Sequence, residues 1–269
     1  MPAIDLGRLE REVEHLESLF DSPAGLTRAT LDVLGFYAER ARRPSSALGA
    51  EEPGRSLTVP APVLRAIGTG LQRQAGFQPE GGWPVADALW EADLRETRVL
   101  ACWVLSGIGN ERVAEWVERR AAGLDDPHVL TAVVDRAFLH WRRVSGASYI
   151  ERIARWLASS RSILHALGLR ALEAGLEIPE LEDMHRAFEI LTGLPRSVRG
   201  DARSALADLL ETLARRSPAE TTRFLLEEIE AERPGVERLA RTILPSLPPP
   251  QRERLITVLT RSIAGKGSS

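Results

Sequence analysis

The segment "DDPHVLTAVVDRAFLHWRRVSG", residues 125–146, gathers side chains suited to chemistry on a polyanion. Trp141 sits between His140 and the Arg142–Arg143 pair, and a basic, aromatic surface of this kind stacks bases while its guanidinium groups hold phosphates. Arginines near a helix C-terminus also complement the helix dipole, a structural use of the same residues. The segment leads into the most basic part of the chain. Residues 136–170 carry Arg136, Arg142, Arg143, Arg152, Arg155, Arg161 and Arg170 against Glu151 alone, a net +6, whereas residues 1–25 carry −4. The overall charge of −3 therefore hides a positive potential in mid-chain.

Other chemistries lack their residues. The five histidines (15, 128, 140, 165, 185) form neither an i, i+4 pair nor a His–Cys set with metal-site spacing. There is no glycine-rich phosphate loop and no nucleophile elbow. The one cysteine, Cys102, excludes an internal disulfide and a thiol-based zinc cluster. It lies in an apolar stripe and reads as a buried structural thiol. No metal and no small-molecule cofactor is expected.

The elements that position these residues read as helices. Hydrophobic content of 43% with only 5% aromatics, and an abundance of Leu, Ala, Arg and Glu, favour helix over sheet. Apolar residues recur at three- and four-residue spacing, as in Leu9, Val13, Leu16 and Phe20. Breaks fall at Gly and Pro, and two of them look like helix starts: "SPAE", a capping box from Ser217 to Glu220, and "DDPH", with Asp126 at the cap and Pro127 first in the helix. About fourteen helices of roughly 10–18 residues result. Trp90 and Trp156 open similar stretches 66 residues apart, and second helices begin near Arg161, Arg199 and Gly235. A two-helix period of about 35–40 residues is the footprint of a right-handed α-solenoid. We expect one repeat domain over 1–269: a helical N-terminal cap at 1–43, a loop at 44–60, repeats at 61–264 and a flexible tail at 265–269. No stretch approaches the roughly 18–20 apolar residues of a membrane span, and the N-terminus lacks the pattern of a secretory signal. A cytoplasmic protein without membrane contact follows as an expectation.

Four blocks between residues 57 and 228 resemble, in order, the HEAT-like DNA alkylation repair family, the AlkD-type alkylpurine DNA glycosylases. "VADALWEADLRETRVLACWVLSGI" is similar to that family's "a-x-x-L-W-x-s-x-x-x-E-x-R-x-x-A-x-x-x-L". "LTVPAPVLRAIGTGL" resembles its "G-V-x-x-P-x-L-R-x-I-A", and "WLASSRSILHALGLRAL" its "W-x-x-S-x-x-x-W-x-x-R-x-A". The fourth block, "ARSALADLLETLARRSPAETTRFLLEE", resembles "K-A-x-x-W-x-L-R-E-x-A-K-x-x-P-x-x-V-x-x-F". The resemblance implies an armadillo-type, all-α fold with a concave basic groove for damaged DNA, two tryptophans and an aspartate facing the lesion. On this sequence the aspartate falls on Asp135 and the first tryptophan on Thr131, four residues before it. The second tryptophan falls on Asp208. In the third block, Ile163 stands for a tryptophan and Ala166 for an arginine.

In such a family aromatic faces hold a cationic alkylpurine through cation–π contact and stacking. The carboxylate stabilises positive charge developing on the sugar as the base departs. Thr131 and Asp208 have no π face, so at best Asp135 keeps half of this chemistry. Asp135 also reads as a helix-surface acid beside Arg136, or as a groove carboxylate ordering a water or a metal. The expectation is therefore a nucleic-acid-binding solenoid with little or no catalysis, whose partner is duplex DNA held by Arg136, Arg142, Arg143, Arg161, Arg199, Arg203 and Trp141. The alternatives are a glycosylase excising alkylated purines through Asp135 and a protein-interaction scaffold with a protein partner. Trp90, Trp103, Trp116 and Trp156 lie on apolar stripes and read as core.

Overall fold

The computed structural model describes residues 5–41, 56–181, 184–192, 194 and 200–266, and these form helices with no strand among them. The all-α expectation holds. The chain divides into two compact units, Met1–Val144 and Ser145–Ser269. Of the expected loop, 44–55 lies outside the described residues, and 56–60 have no regular secondary structure.

In the first unit, α1 (Leu6–Ser18) starts at Asp5, whose carboxylate accepts the Arg8 backbone N–H at 3.0 Å. Leu9 and Leu16 are its buried residues, and it packs chiefly on α3 (Ala61–Phe77). Helices α2 (Pro23–Ala41) and α4 (Pro79–Glu91) precede α5 (Arg95–Ile108), and Gly109, in the left-handed region at φ 61°, ends α5. Then come α6 (Arg112–Arg119), α7 (Pro127–Ala132) and α8 (Leu139–Val144). A single turn of π-helix, Val133–Ala137, joins the last two. Counted as one interrupted helix, Pro127–Val144 brings the helices among the described residues to fourteen.

Packing is between alternate helices. One row runs α1, α3, α5 and the Pro127–Val144 run; the other runs α2, α4 and α6. Trp90 of α4 and Trp116 of α6 meet edge to face with centroids 5.2 Å apart. Between the rows lie Leu100, Ala101, Cys102, Val104 and Leu105 of α5, all fully buried. At roughly 1.5–3 kcal/mol for a buried large aliphatic side chain, this helix is the spine of the unit.

The second unit repeats the scheme. Helices α10 (Ser162–Gly175), α12 (Asp201–Arg216) and α14 (Val236–Ile243) form one row. The other is α9 (Gly146–Leu157), α11 (Met184–Thr192), α13 (Pro218–Glu230) and α15 (Pro249–Lys266). Tyr149 is buried between α9 and α10 and donates its hydroxyl to the Ala171 carbonyl at 2.8 Å. Helix continues through Lys266, two residues into the segment expected as a tail. Among the described residues no helix is long and apolar enough to cross a membrane.

Candidate nucleic-acid interface

Helices α3 and α5 and the π turn wall an open cleft of about 560 Å³ in the first unit. The end of α7 lines it too, through His128, Thr131 and Ala132. Thr131 donates its hydroxyl back to the Pro127 carbonyl at 2.8 Å, and further along the Phe138 N–H reaches the Val133 carbonyl, five residues back, at 3.1 Å. The extra residue in this turn leaves Val133, Val134, Ala137 and Phe138 buried while Asp135 and Arg136 stand out into solvent. Single π turns of this kind mark places where a helix is re-aimed. Arg142, a turn further on, donates to the Val134 carbonyl at 3.3 Å and supplies a partner where the helical ladder is interrupted.

On the α5 side, Trp103 is half-buried at the cleft wall. A Cβ at Gly68 of α3 would stand 2.6 Å from two atoms of its ring, so only glycine lets the indole rest against that helix. From the cleft, the Arg136 guanidinium lies 4.5 Å from the ring centroid. An exposed cation–π contact contributes about 0.5–1 kcal/mol, less than the roughly 1–3 kcal/mol of a nucleobase stacked on an aromatic.

The rim is tied down by a carboxylate. Glu96 is 3% exposed, and its Oε1 accepts the Ser56 hydroxyl at 2.8 Å and the backbone N–H groups of Leu57 and Thr58 at 3.0 Å each. Thr58 has φ 57°, an unfavourable conformation for a β-branched residue, and Glu96 holds it there. Beside it the Arg95 Nε donates to the Asp126 carboxylate at 2.6 Å, and the other Asp126 oxygen caps α7 through the His128 N–H at 2.8 Å. Burial alone would raise the Asp126 pKa, but these two hydrogen bonds and the charges of Arg95 and His128 outweigh it and hold the carboxyl below its ordinary 3.8. Arg65 of α3 and His128 are exposed on the cleft walls.

Of the residues expected to bind, Asp135 and Arg136 come together here with Thr131. Arg142 and Arg143 do not line the cleft; the first is half-buried and the second exposed at the end of α8. Trp141 requires correction. It is 1% exposed and packs edge to face on Phe138 at 5.6 Å, so it is core and presents no surface to a base. Trp103, read from sequence as core, takes the cleft position instead, whereas Trp90, Trp116 and Trp156 are buried as expected. In the second unit, Arg161 is exposed at the start of α10 and Arg203 of α12 lines a separate small apolar recess. Arg199 lies outside the described residues. Asp208 is held by Arg170 at 2.6 Å, which cancels its charge. Sequence reasoning missed Arg65, Arg95, Glu96, Trp103 and His128. The one available signal was Gly68, an isolated glycine inside a helical pattern, which marks a close approach.

The model of the DNA alkylation repair enzyme family matches residues 33–244, from within α2 to just past the end of α14, and so covers every residue that lines the cleft. The chain belongs to that family, whose fold is HEAT-like and all-α. Comparison with curated proteins and with solved structures finds no significant match.

Proposed function

We propose that this chain is a nucleic-acid-binding member of the DNA alkylation repair family, with duplex DNA as its partner and without appreciable base excision. The observation that carries the reading is the state of the cleft's aromatic and acidic groups. Asp135 is exposed, Thr131 supplies no π face, and the accessible face of Trp103 is taken by the Arg136 guanidinium. A cationic alkylpurine approaching that ring meets a like charge, which removes the attraction an open aromatic would offer. Arg65 and Arg136 beside the cleft, and Arg143 at the end of α8, suit phosphates, which give affinity without sequence preference. We propose a cytoplasmic setting as well, in which an unpaired cysteine such as Cys102 is the ordinary state.

One observation favours the second reading, a glycosylase: Asp135 lies in the same cleft as an aromatic ring and pairs with no described cation. Gel-shift titration of duplex DNA at low salt, run beside a base-release assay on alkylated duplex, separates the two. We expect a retarded complex whose log–log salt slope is about −3, for three phosphate contacts, and base release at the spontaneous rate. Release above that rate, abolished by Asp135→Asn, would install the glycosylase. No complex at tens of micromolar protein would leave a protein partner as the occupant of the cleft.

A further inference from the structure

We propose that Trp103 is a stacking platform for one unpaired nucleotide of a DNA chain, with an uncharged base, and that Arg136 is its shutter. The proposal rests on the nucleic-acid reading above and names what the cleft selects within it. The platform is built from behind by Gly68, whose missing side chain lets the indole lie against α3, where an added Cβ would collide at 2.6 Å. It is covered in front by one exposed side chain, Arg136, whose contact among the described residues is the ring itself. An arginine held by a ring alone exchanges readily, because a nucleobase stacks on an aromatic more strongly than an exposed guanidinium does. Displaced, the guanidinium stays tethered at the cleft and meets the phosphate of the nucleotide that replaced it.

The cleft has room. Its volume of about 560 Å³ lies within the roughly 300–1,000 Å³ of small-ligand sites. A base paired inside a duplex has no exposed face to offer, so the platform engages only a nucleotide already out of the stack. Charge narrows the choice further. The nearby guanidinium repels a cationic base and leaves a neutral one unaffected, so the site reads a distortion of the helix and not the charge of an alkylated purine.

The test compares two DNA duplexes of one sequence, fully paired and carrying a single bulged adenosine, in equilibrium binding at low salt. The wild type is expected to bind the bulged duplex about tenfold tighter, the effect of one base–aromatic stack. Trp103→Leu should remove that preference and keep its affinity for the paired duplex, while Trp103→Phe keeps part of the preference and covers the case in which the leucine variant misfolds. Arg136→Gln should weaken binding of both duplexes through the lost phosphate contact and widen the ratio between them a few-fold. Equal affinity of the wild type for the two duplexes overturns the proposal and leaves duplex binding standing. A preference that survives in both Trp103 variants also overturns it, and binding of neither duplex overturns the nucleic-acid reading as well.

Discussion

Asp126 does two jobs with one carboxylate: it caps α7 through the His128 N–H and pairs with Arg95. Its folded pKa lies below the ordinary 3.8, so its ionised form is bound more tightly in the folded state than in the unfolded chain. The stabilisation is complete above the ordinary value and is lost as pH falls through the lower folded one. Asp126→Asn isolates the charge, since asparagine caps a helix about as well as aspartate. We expect the variant to lose about 1 kcal/mol at neutral pH, a figure reduced by the partial exposure of the pair. The deficit should shrink to nothing as the pH drops below the carboxylate range, which thermal melts of both proteins at several pH values would register. A constant deficit across that range would assign the effect to packing instead of charge.

The π turn between α7 and α8 decides which side chains of the most basic segment are available. Arg142 and Arg143 are neighbours in sequence, yet one donates to the Val134 carbonyl and the other is exposed. Arg143→Ala should therefore reduce the DNA-binding salt slope by about one unit with little change in stability. Arg142→Ala should leave the slope nearly unchanged and cost about 1 kcal/mol, because the carbonyl loses its side-chain donor. Equal slope changes in the two variants would show that Arg142 leaves Val134 to reach DNA. The helices themselves were legible, since a 3.6-residue apolar period and a cap such as Asp126–Pro127 are local properties of the chain. Ser217 was also found, although its hydroxyl donates to the Glu220 carboxylate at 2.7 Å and no backbone N–H bonds to it. The π turn was not legible, because a hydrogen bond reaching five residues back leaves no pattern of residue types. Trp103 and Trp141 were exchanged for a related reason. Both lie on helices with apolar stripes, and the face each one takes is set by a distant partner, Gly68 for the first and the rotated turn before it for the second.

Across the chain the excess of arginine in mid-sequence overstates the charge open to a ligand, because Arg170 is paired with Asp208 and Arg142 is turned back onto the backbone. Sequence locates charges, but the pairing between α10 and α12 that cancels one of them appears only when the rows are packed. Each unit carries its own pair of rows. Cys102, the single cysteine, sits wholly buried on α5, and burial pushes its thiol far above the ordinary range. A thiol reagent should find nothing to react with in the native protein and one group once denaturant is added; reaction without denaturant would contradict this burial. Toward attachment chemistry, then, the folded chain behaves as though it were cysteine-free. One cysteine introduced on the surface of each unit would accept a probe with no native thiol to remove first, and the distance between the two probes would report how the units stand to each other, with and without DNA.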